Sequence, residues 1–264
     1  MLPVLFHIGP YPVGTHDSFV LLGVIAATLV YLYEAERRTL LDDRLLAIGI
    51  GALICGAVAA RLNTVWRSLL VMPEPSLLGV VGQGSKSILG GLAGAYAGAV
   101  LTKRLIGYRE STGDLFAPAV ALGMAIGRWG CFLTEQIGTP TTLPWGISVS
   151  RQVAAHIPSC PYCASDVPLH PSFIYEIIFH ALLFACLWWL RPHVSVRGEL
   201  LKIYLLAYAL FRFAVEFVRG NEVVWEGLTR SQLFLIPSTL LLVIYFWRRR
   251  ARWTYAVVPR RGGT

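Results

Sequence analysis

Three short stretches of this sequence place charge inside or beside oily runs. GRWGCFLTEQIG (127–138) sets Arg128 and Cys131 three residues apart, with Glu135 seven residues past the arginine. HPSFIYE (170–176) contains His170, Ser172, Tyr175 and Glu176, and His180 follows four residues later. RFAVEFVR (212–219) spaces Arg212, Glu216 and Arg219 at i, i+4 and i+7, one face of a helix. Guanidinium groups match phosphate oxygens in a two-pronged geometry, so two arginines around one glutamate read as a site for an anion. The alternatives are a structural ion network on that face, an Arg128 that snorkels to an interface, and a Glu176–His180 pair buried for packing. Ser172, following Pro171, is expected to cap the helix it opens.

Which reading holds depends on the elements that carry these residues. Of 264 residues, 55% are hydrophobic and only 14% are charged, well below the share of about 25% in soluble domains. Seven apolar windows fit membrane-crossing helices: 17–33, 44–60, 86–102, 114–133, 172–190, 201–218 and 229–247. The expected fold is therefore an all-α integral membrane protein, a single polytopic domain over residues 1–264. A charge inside such a span faces a protein interior or a watery cavity, which makes the three stretches candidates for function.

Lys and Arg alternate between loops. Arg37, Arg38, Arg44, Lys103, Arg104, Arg109, Arg191, Arg197, Lys202 and the tail from Arg248 to Arg261 fall on one side. By the positive-inside rule the N-terminus is outside and the C-terminus cytoplasmic. The net charge of +8 then reads as topology anchoring in the basic tail at 248–264, with no nucleic-acid partner. The first fifteen residues lack a basic region, so no cleavable signal peptide is expected. All three charged stretches approach the outer half of the membrane, where an anionic phospholipid head group is the economical ligand.

The outer loop at 134–171 is rich in proline and glycine and is expected to be irregular. Its Cys160 and Cys163 form CPYC, for which three readings stand open. They are a disulfide, a zinc site with His156 and His170, or a redox-active pair in a membrane thiol oxidoreductase. Cys55 and Cys186, mid-span, are expected to pack as small apolar residues. Gly90, Gly94 and Gly98 recur every fourth residue, a spacing that lets helices approach closely in lipid. GQGSKS (82–87) does not fit the phosphate-loop spacing G-x-x-x-x-G-K-[ST], so nucleotide binding is excluded.

In this order, the three charged motifs resemble those of the prolipoprotein diacylglyceryl transferase family. GRWGCFLTEQIG is similar to the family's G-R-x-G-N-F-x-N-x-E-x-x-G, HPSFIYE to H-P-S-Q-L-Y-E, and RFAVEFVR to R-F-x-x-E-F-F-R. Gln232 and Pro237 match a pair in the last span; Ser87, Gly90 and Gly91 match a serine before paired glycines. The resemblance implies transfer of a diacylglyceryl group from phosphatidylglycerol to the lipobox cysteine of a lipoprotein signal peptide, releasing glycerol phosphate. It implies residence in the bacterial inner membrane, with membrane lipid as surroundings and no metal or organic cofactor. A divergent member that binds phospholipid without this chemistry, or uses another acceptor, is the alternative.

Residue by residue, the resemblance implies that Arg128 contacts the phospholipid and that Arg212, in a catalytic charged group with Glu216 and Arg219, stabilises the leaving phosphate. Arg219, Tyr175, Glu176, Ser87, Gly90 and Gly91 would bind substrate. Four departures stand out: Cys131 and Thr134 replace signature asparagines, the acid Glu135 comes one residue early, and Leu89 occupies an aromatic or histidine position. That histidine is the family's candidate general base, and Glu135, Glu176 or His170 is expected to take its place.

Overall fold

The computed structural model describes residues 4–71, 88–135, 137–150, 167–194 and 196–256, without side chains for 63–71 and 250–256. Among them seven helices carry most of the chain: α1 (Thr15–Arg37), α2 (Asp43–Val71), α3 (Ile88–Leu105), α4 (Gly113–Thr134), α5 (Ser172–Leu190), α6 (Glu199–Arg219) and α7 (Arg230–Ala256). Two antiparallel hairpins complete the described elements. One pairs β1 (Val4–Ile8) with β2 (Tyr11–Gly14), the other β3 (Val223–Trp225) with β4 (Leu228–Thr229).

Among the described residues, five helices are long and apolar enough to cross a membrane: Thr15–Arg37, Asp43–Leu62, Gly113–Thr134, Ser172–Leu190 and Arg230–Arg249. The described part of the expected window at 86–102, from Ile88 on, and the window at 201–218 also lie on helices, α3 and α6, yet fall outside that set. Charge is the reason for α6, which carries Glu199, Lys202, Arg212, Glu216 and Arg219. Much of the outer surface of the helices is apolar, with Leu21, Leu29, Leu182, Trp189 and Leu241 exposed. Water does not tolerate so much contiguous apolar surface; lipid does.

The chain divides into two compact units. Residues 35–110 form the smaller, in which α2 packs on α3. Small residues make that packing close: a side chain at Gly98 would run into Cys55 Sγ at 2.9 Å, and one at Gly94 into Cys55 O at 2.6 Å. The four-residue glycine spacing thus does the packing expected of it, and Cys55 lies in the seam. Cys186 differs from expectation: it is exposed on α5, because the buried positions of that helix are Phe173, Glu176, Ile177, His180, Leu183 and Leu187.

Residues 1–34 and 111–264 form the larger unit. Its central helix is α4, where Ala117, Ala119, Ala121, Ala125 and Gly130 are buried on several sides. Residues this small let neighbouring backbones close in, and α1 crosses α4 at Gly23 and Gly123; a side chain at Gly23 would lie 2.6 Å from Gly123 O. The helix α6 is bracketed by Gly198 (φ 84) and Gly220 (φ 76), both in the left-handed region that glycine adopts without cost.

Buried Asp114, in the first turn of α4, accepts hydrogen bonds from the backbone N–H of Gly198 (2.8 Å) and Leu200 (3.0 Å). These N–H groups at the start of α6 have no partner within the helix. Asp114→Ala leaves them unpaired and is expected to cost about 1–3 kcal/mol. A lowered unfolding midpoint in detergent, with the chemistry at the opposite ends of the helices retained, is the measurement.

Candidate functional site

Antiparallel connections bring the C-terminal turns of α4 and α6 beside the N-terminal turns of α5 and α7. Local sequence sets each approach. After α4 the chain turns at Glu135, whose N–H donates to Cys131 O (2.8 Å). It then runs back so that Ser172 Oγ, at the start of α5, donates to Ile137 O. Thr139 N–H donates to Val218 O (2.9 Å), tying the same loop to the end of α6. Between α6 and α7 the hairpin turns at Glu226 (φ 45) and Gly227 (φ 79), a pair of left-handed residues that suits a tight reversal.

Into this junction point three arginines and two glutamates. Arg128 is 3% exposed, Glu176 0%, Arg212 7% and Glu216 2%, so these charges have left water and depend on one another. Glu176 receives two guanidiniums from different helices: Arg128 through Oε2, and Arg219 at 2.6 Å through Oε1. Arg212 pairs with Glu216 one turn along the same helix. The other oxygen of Glu216 accepts from Asn221 Nδ2 (2.8 Å) and Thr229 Oγ1 (2.8 Å). Gln232, the match in the last span, locks that corner by accepting from Thr229 N–H (2.9 Å) and donating to Phe213 O (3.2 Å). Phe173 lies under both arginines that meet Glu176, its ring centre 4.7 Å from Arg219 Cζ and 5.8 Å from Arg128 Cζ.

Three guanidiniums thus share two carboxylates, and one positive charge is left over in a buried cluster. Below it lies a polar layer without partners. Both ring nitrogens of His180, the hydroxyls of Tyr204 and Tyr208, and Arg128 Nε are buried and have no hydrogen-bond partner among the described residues. The His180 ring centre is 5.1 Å from that of Tyr208 and 6.2 Å from that of Tyr204. Buried polar atoms are almost always satisfied, so this layer and the surplus charge together suit a polar, anionic guest.

At the rim, His170 Nδ1 lies 3.3 Å from the hydroxyl of Tyr175, which also accepts from Trp145 Nε1 (2.8 Å). His170 lines an open pocket of about 370 Å³ with Pro140, Thr141, Thr142 and Val167. Elsewhere on the rim, His16 Nε2 of α1 is 3.5 Å from Glu135 Oε1, and Arg128 Nη1 is 3.9 Å from Cys131 Sγ.

The sequence expectations fare unevenly. Arg128, Glu176, Arg212, Glu216 and Arg219 do come together. The anticipated single-face trio on α6 splits, because Arg219 reaches across to α5 while Arg212 keeps Glu216. No Glu176–His180 pair forms, since the two arginines occupy the carboxylate and the imidazole sits among aromatic rings. Ser172 is not the cap of α5: Pro171 holds that position, and the hydroxyl is spent on Ile137 O. Glu135 does not continue the face of Arg128, because α4 stops at Thr134 and the backbone there turns extended (ψ 171). Gly90 and Gly91 lie on α3 in the smaller unit. Ser87, His156, Cys160 and Cys163 lie outside the described residues.

Sequence reasoning passed over Phe173, Tyr204, Tyr208 and His16. The tyrosines carried a usable signal, since Tyr204, Tyr208 and Arg212 repeat every fourth residue along α6. His16 carried none, because Gly130 and Glu135, which it meets in space, lie more than a hundred residues away.

A family model described as prolipoprotein diacylglyceryl transferase matches residues 3–248. Similar curated proteins bear the name phosphatidylglycerol–prolipoprotein diacylglyceryl transferase. The one from Trichormus variabilis is 31% identical over 90% of this chain and 86% of its own length. Those from Geobacillus kaustophilus and Coxiella burnetii are each 29% identical over 96% of this chain, and over 94% and 95% of their own lengths. No solved structure matches the chain.

Proposed function

Because the chain belongs to the prolipoprotein diacylglyceryl transferase family, we propose that it moves a diacylglyceryl group from phosphatidylglycerol to a lipobox cysteine. One observation carries the site assignment: the buried cluster of three guanidiniums and two carboxylates, with its surplus positive charge. A phosphodiester bears one negative charge, and seating it there neutralises the excess.

Arg128 and Arg212 hold the phosphate; Glu176, shared with Arg219, aims the first and Glu216 the second. In the reaction the acceptor sulfur, as thiolate, attacks the glyceryl carbon that bears the phosphate. The C–O bond breaks, its electron pair leaves with the oxygen, and glycerol phosphate departs with one more negative charge than the bound diester carried. Guanidiniums fixed before that charge develops stabilise it without having to reorganise. The unpaired layer of His180, Tyr204 and Tyr208 offers hydrogen bonds to the polar end of the lipid.

The arrangement of basic loops supports a bacterial inner-membrane protein of seven spans with its N-terminus outside, and so a site at the outer leaflet. Both substrates are reached from that leaflet. His170, Tyr175 and Trp145, at the rim, line the approach of the peptide.

The test uses purified protein in vesicles of phosphatidylglycerol with a lipobox peptide, followed by mass spectrometry. A mass increase of one diacylglyceryl group on the cysteine is expected. No thioether with this donor, in vesicles that retain the lipid, counts against the reading. Arg212→Ala is expected to lower kcat about a hundredfold and to raise the lipid KM as well, because the surplus positive charge goes with it.

The substitutions at Cys131, Thr134 and Leu89 favour a second reading, a member that binds phospholipid without turnover. Saturable phosphatidylglycerol binding with no thioether would distinguish it.

A further inference from the structure

We propose that the last turn of α3 binds an anionic phospholipid, with the phosphate on Arg104, Arg109 and Lys103 and an acyl chain along Val100. This lipid is held rather than consumed, and no residue of the transfer site takes part.

An open cavity of about 440 Å³ lies at this turn, lined by Val100, Lys103, Arg104, Gly107, Tyr108 and Arg109. The backbone builds it. Gly107 is left-handed (φ 68), its N–H donates to Arg104 O (3.4 Å), and the N–H of Tyr108 donates to Lys103 O (2.9 Å). This pair of bonds is the glycine-terminated cap of a helix, and it folds Tyr108 and Arg109 back beside Lys103 and Arg104. A Cβ at Gly107 would meet nothing within 4 Å, so the space in front of the turn is open.

A helix C-terminus is the negative end of its dipole and by itself repels an anion. At this one the carbonyls of Thr102, Lys103 and Arg104 all accept backbone N–H groups of the turn, from Ile106, Tyr108 and Gly107. The cations then decide the sign. Three of them line the cavity, and the acid that follows in the chain is Glu110, which leaves an excess of two positive charges. Lys103 Nζ donates to Glu110 O and sits 5.7 Å from the ring centre of Tyr108, which holds the ammonium at the cavity wall. Arg104 and Arg109 are exposed, and among the described residues neither guanidinium has an ion-pair partner. Two planar forks over one cavity match the oxygens of a phosphate.

The wall below the arginines selects a lipid over a soluble phosphate. Tyr96, Val100 and Arg104 recur every fourth residue, so they form one stripe along α3. Tyr96 is 62% exposed, and Leu101 and Leu105 beside the stripe are 54% and 78% exposed. The cavity therefore opens onto an uncovered apolar helix face, and a ligand with phosphate above and hydrocarbon below is matched at both ends. The alternation of basic loops assigns this turn to the cytoplasmic side, where cations between the helix end and the head groups attract anionic lipid.

The test uses the full chain in detergent, stripped of lipid and then given phosphatidic acid with a photoreactive group on its acyl chain. Adducts mapped by mass spectrometry are expected within residues 96–109. Arg104→Gln combined with Arg109→Gln should lower them about twenty-fivefold, about fivefold for each guanidinium. Both side chains are exposed, so the unfolding midpoint without lipid should not move. Adducts at other lipid-facing positions, such as Leu182 and Leu241, should persist in the double variant, which separates a site from general contact with lipid. Phosphatidylcholine bearing the same photoreactive group should label residues 96–109 no more than those positions, because its choline cancels the phosphate charge. Equal labelling of 96–109 by phosphatidylcholine, or labelling undiminished in the double variant, overturns the site. Full protection by inorganic phosphate at the concentration of the lipid overturns the assignment to a lipid. Thioether formation enters none of these readouts, so the site stands or falls apart from the transferase reading.

Discussion

Replacing Arg128 with alanine is expected to lower kcat/KM for phosphatidylglycerol about a thousandfold, the upper range for removal of one pre-aimed donor at developing charge. Two effects combine. The fork that grips the phosphate disappears, and Glu176 keeps only Arg219 as a partner. The surplus positive charge is then gone: two guanidiniums face two carboxylates, and an arriving phosphate meets a neutral cluster. Arg128→Lys separates charge from shape. A lysine restores the positive charge as a point but not the planar pair of donors, so part of the lost lipid affinity should return while turnover stays low. Thioether formation at varied lipid concentration measures both. Full activity in Arg128→Ala would remove the arginine from the site.

Glu176→Ala is expected to be the most destabilising single substitution in the cluster. Glu176 is fully buried and holds arginines from two other helices, α4 and α6. Removing one partner of a buried ion pair costs about 3–5 kcal/mol, because the charge left behind is neither solvated nor paired. Here two guanidiniums lose the shared carboxylate at once, and Arg128, Arg212 and Arg219 repel one another with only Glu216 among them. A large drop in thermal midpoint is expected, together with loss of transfer. Glu176→Gln keeps the shape and two hydrogen-bonding atoms, so it should fold better than the alanine variant yet still misplace Arg128. Phosphatidylglycerol is expected to raise the midpoint of Glu176→Ala more than that of the unaltered protein, since a bound phosphate supplies the missing negative charge. A midpoint unchanged by the substitution would show that Glu176 is not the hub.

The two experiments probe the same arrangement from opposite sides. One removes positive charge and empties the site of its attraction for phosphate. The other removes negative charge and leaves the attraction without a scaffold.

Much of this was legible in the sequence. Apolar windows fix where helices form, since a span in lipid must satisfy its backbone internally, and among the described residues each of the seven windows overlaps a helix. The rarity of charge inside such windows singled out Arg128, Glu176, Arg212 and Glu216 before any coordinates, because each costs too much to be idle, and helical spacing added Arg219 just past the sixth window. The motifs themselves carried the family. Periodicity along a helix, however, reports only which residues share a face. It placed Arg212, Glu216 and Arg219 together, but it carries no information on what stands opposite, and so it missed that Arg219 serves Glu176 of α5.

Only tertiary structure decided the partners. That Glu176 joins α4 to α6 follows from antiparallel helix packing, which depends on close approaches such as Gly138, where a side chain would run into the backbone of His170 and Val218, and leaves no periodic mark in the chain. The same holds for His16. In sequence it is one histidine before an oily run; in space, close contact at Gly130 sets it beside Cys131 and Glu135. The sequence determined which charges must be sheltered, through the cost of putting them in oil. The fold decided which of them meet, because contacts between distant segments are set by packing rather than by spacing.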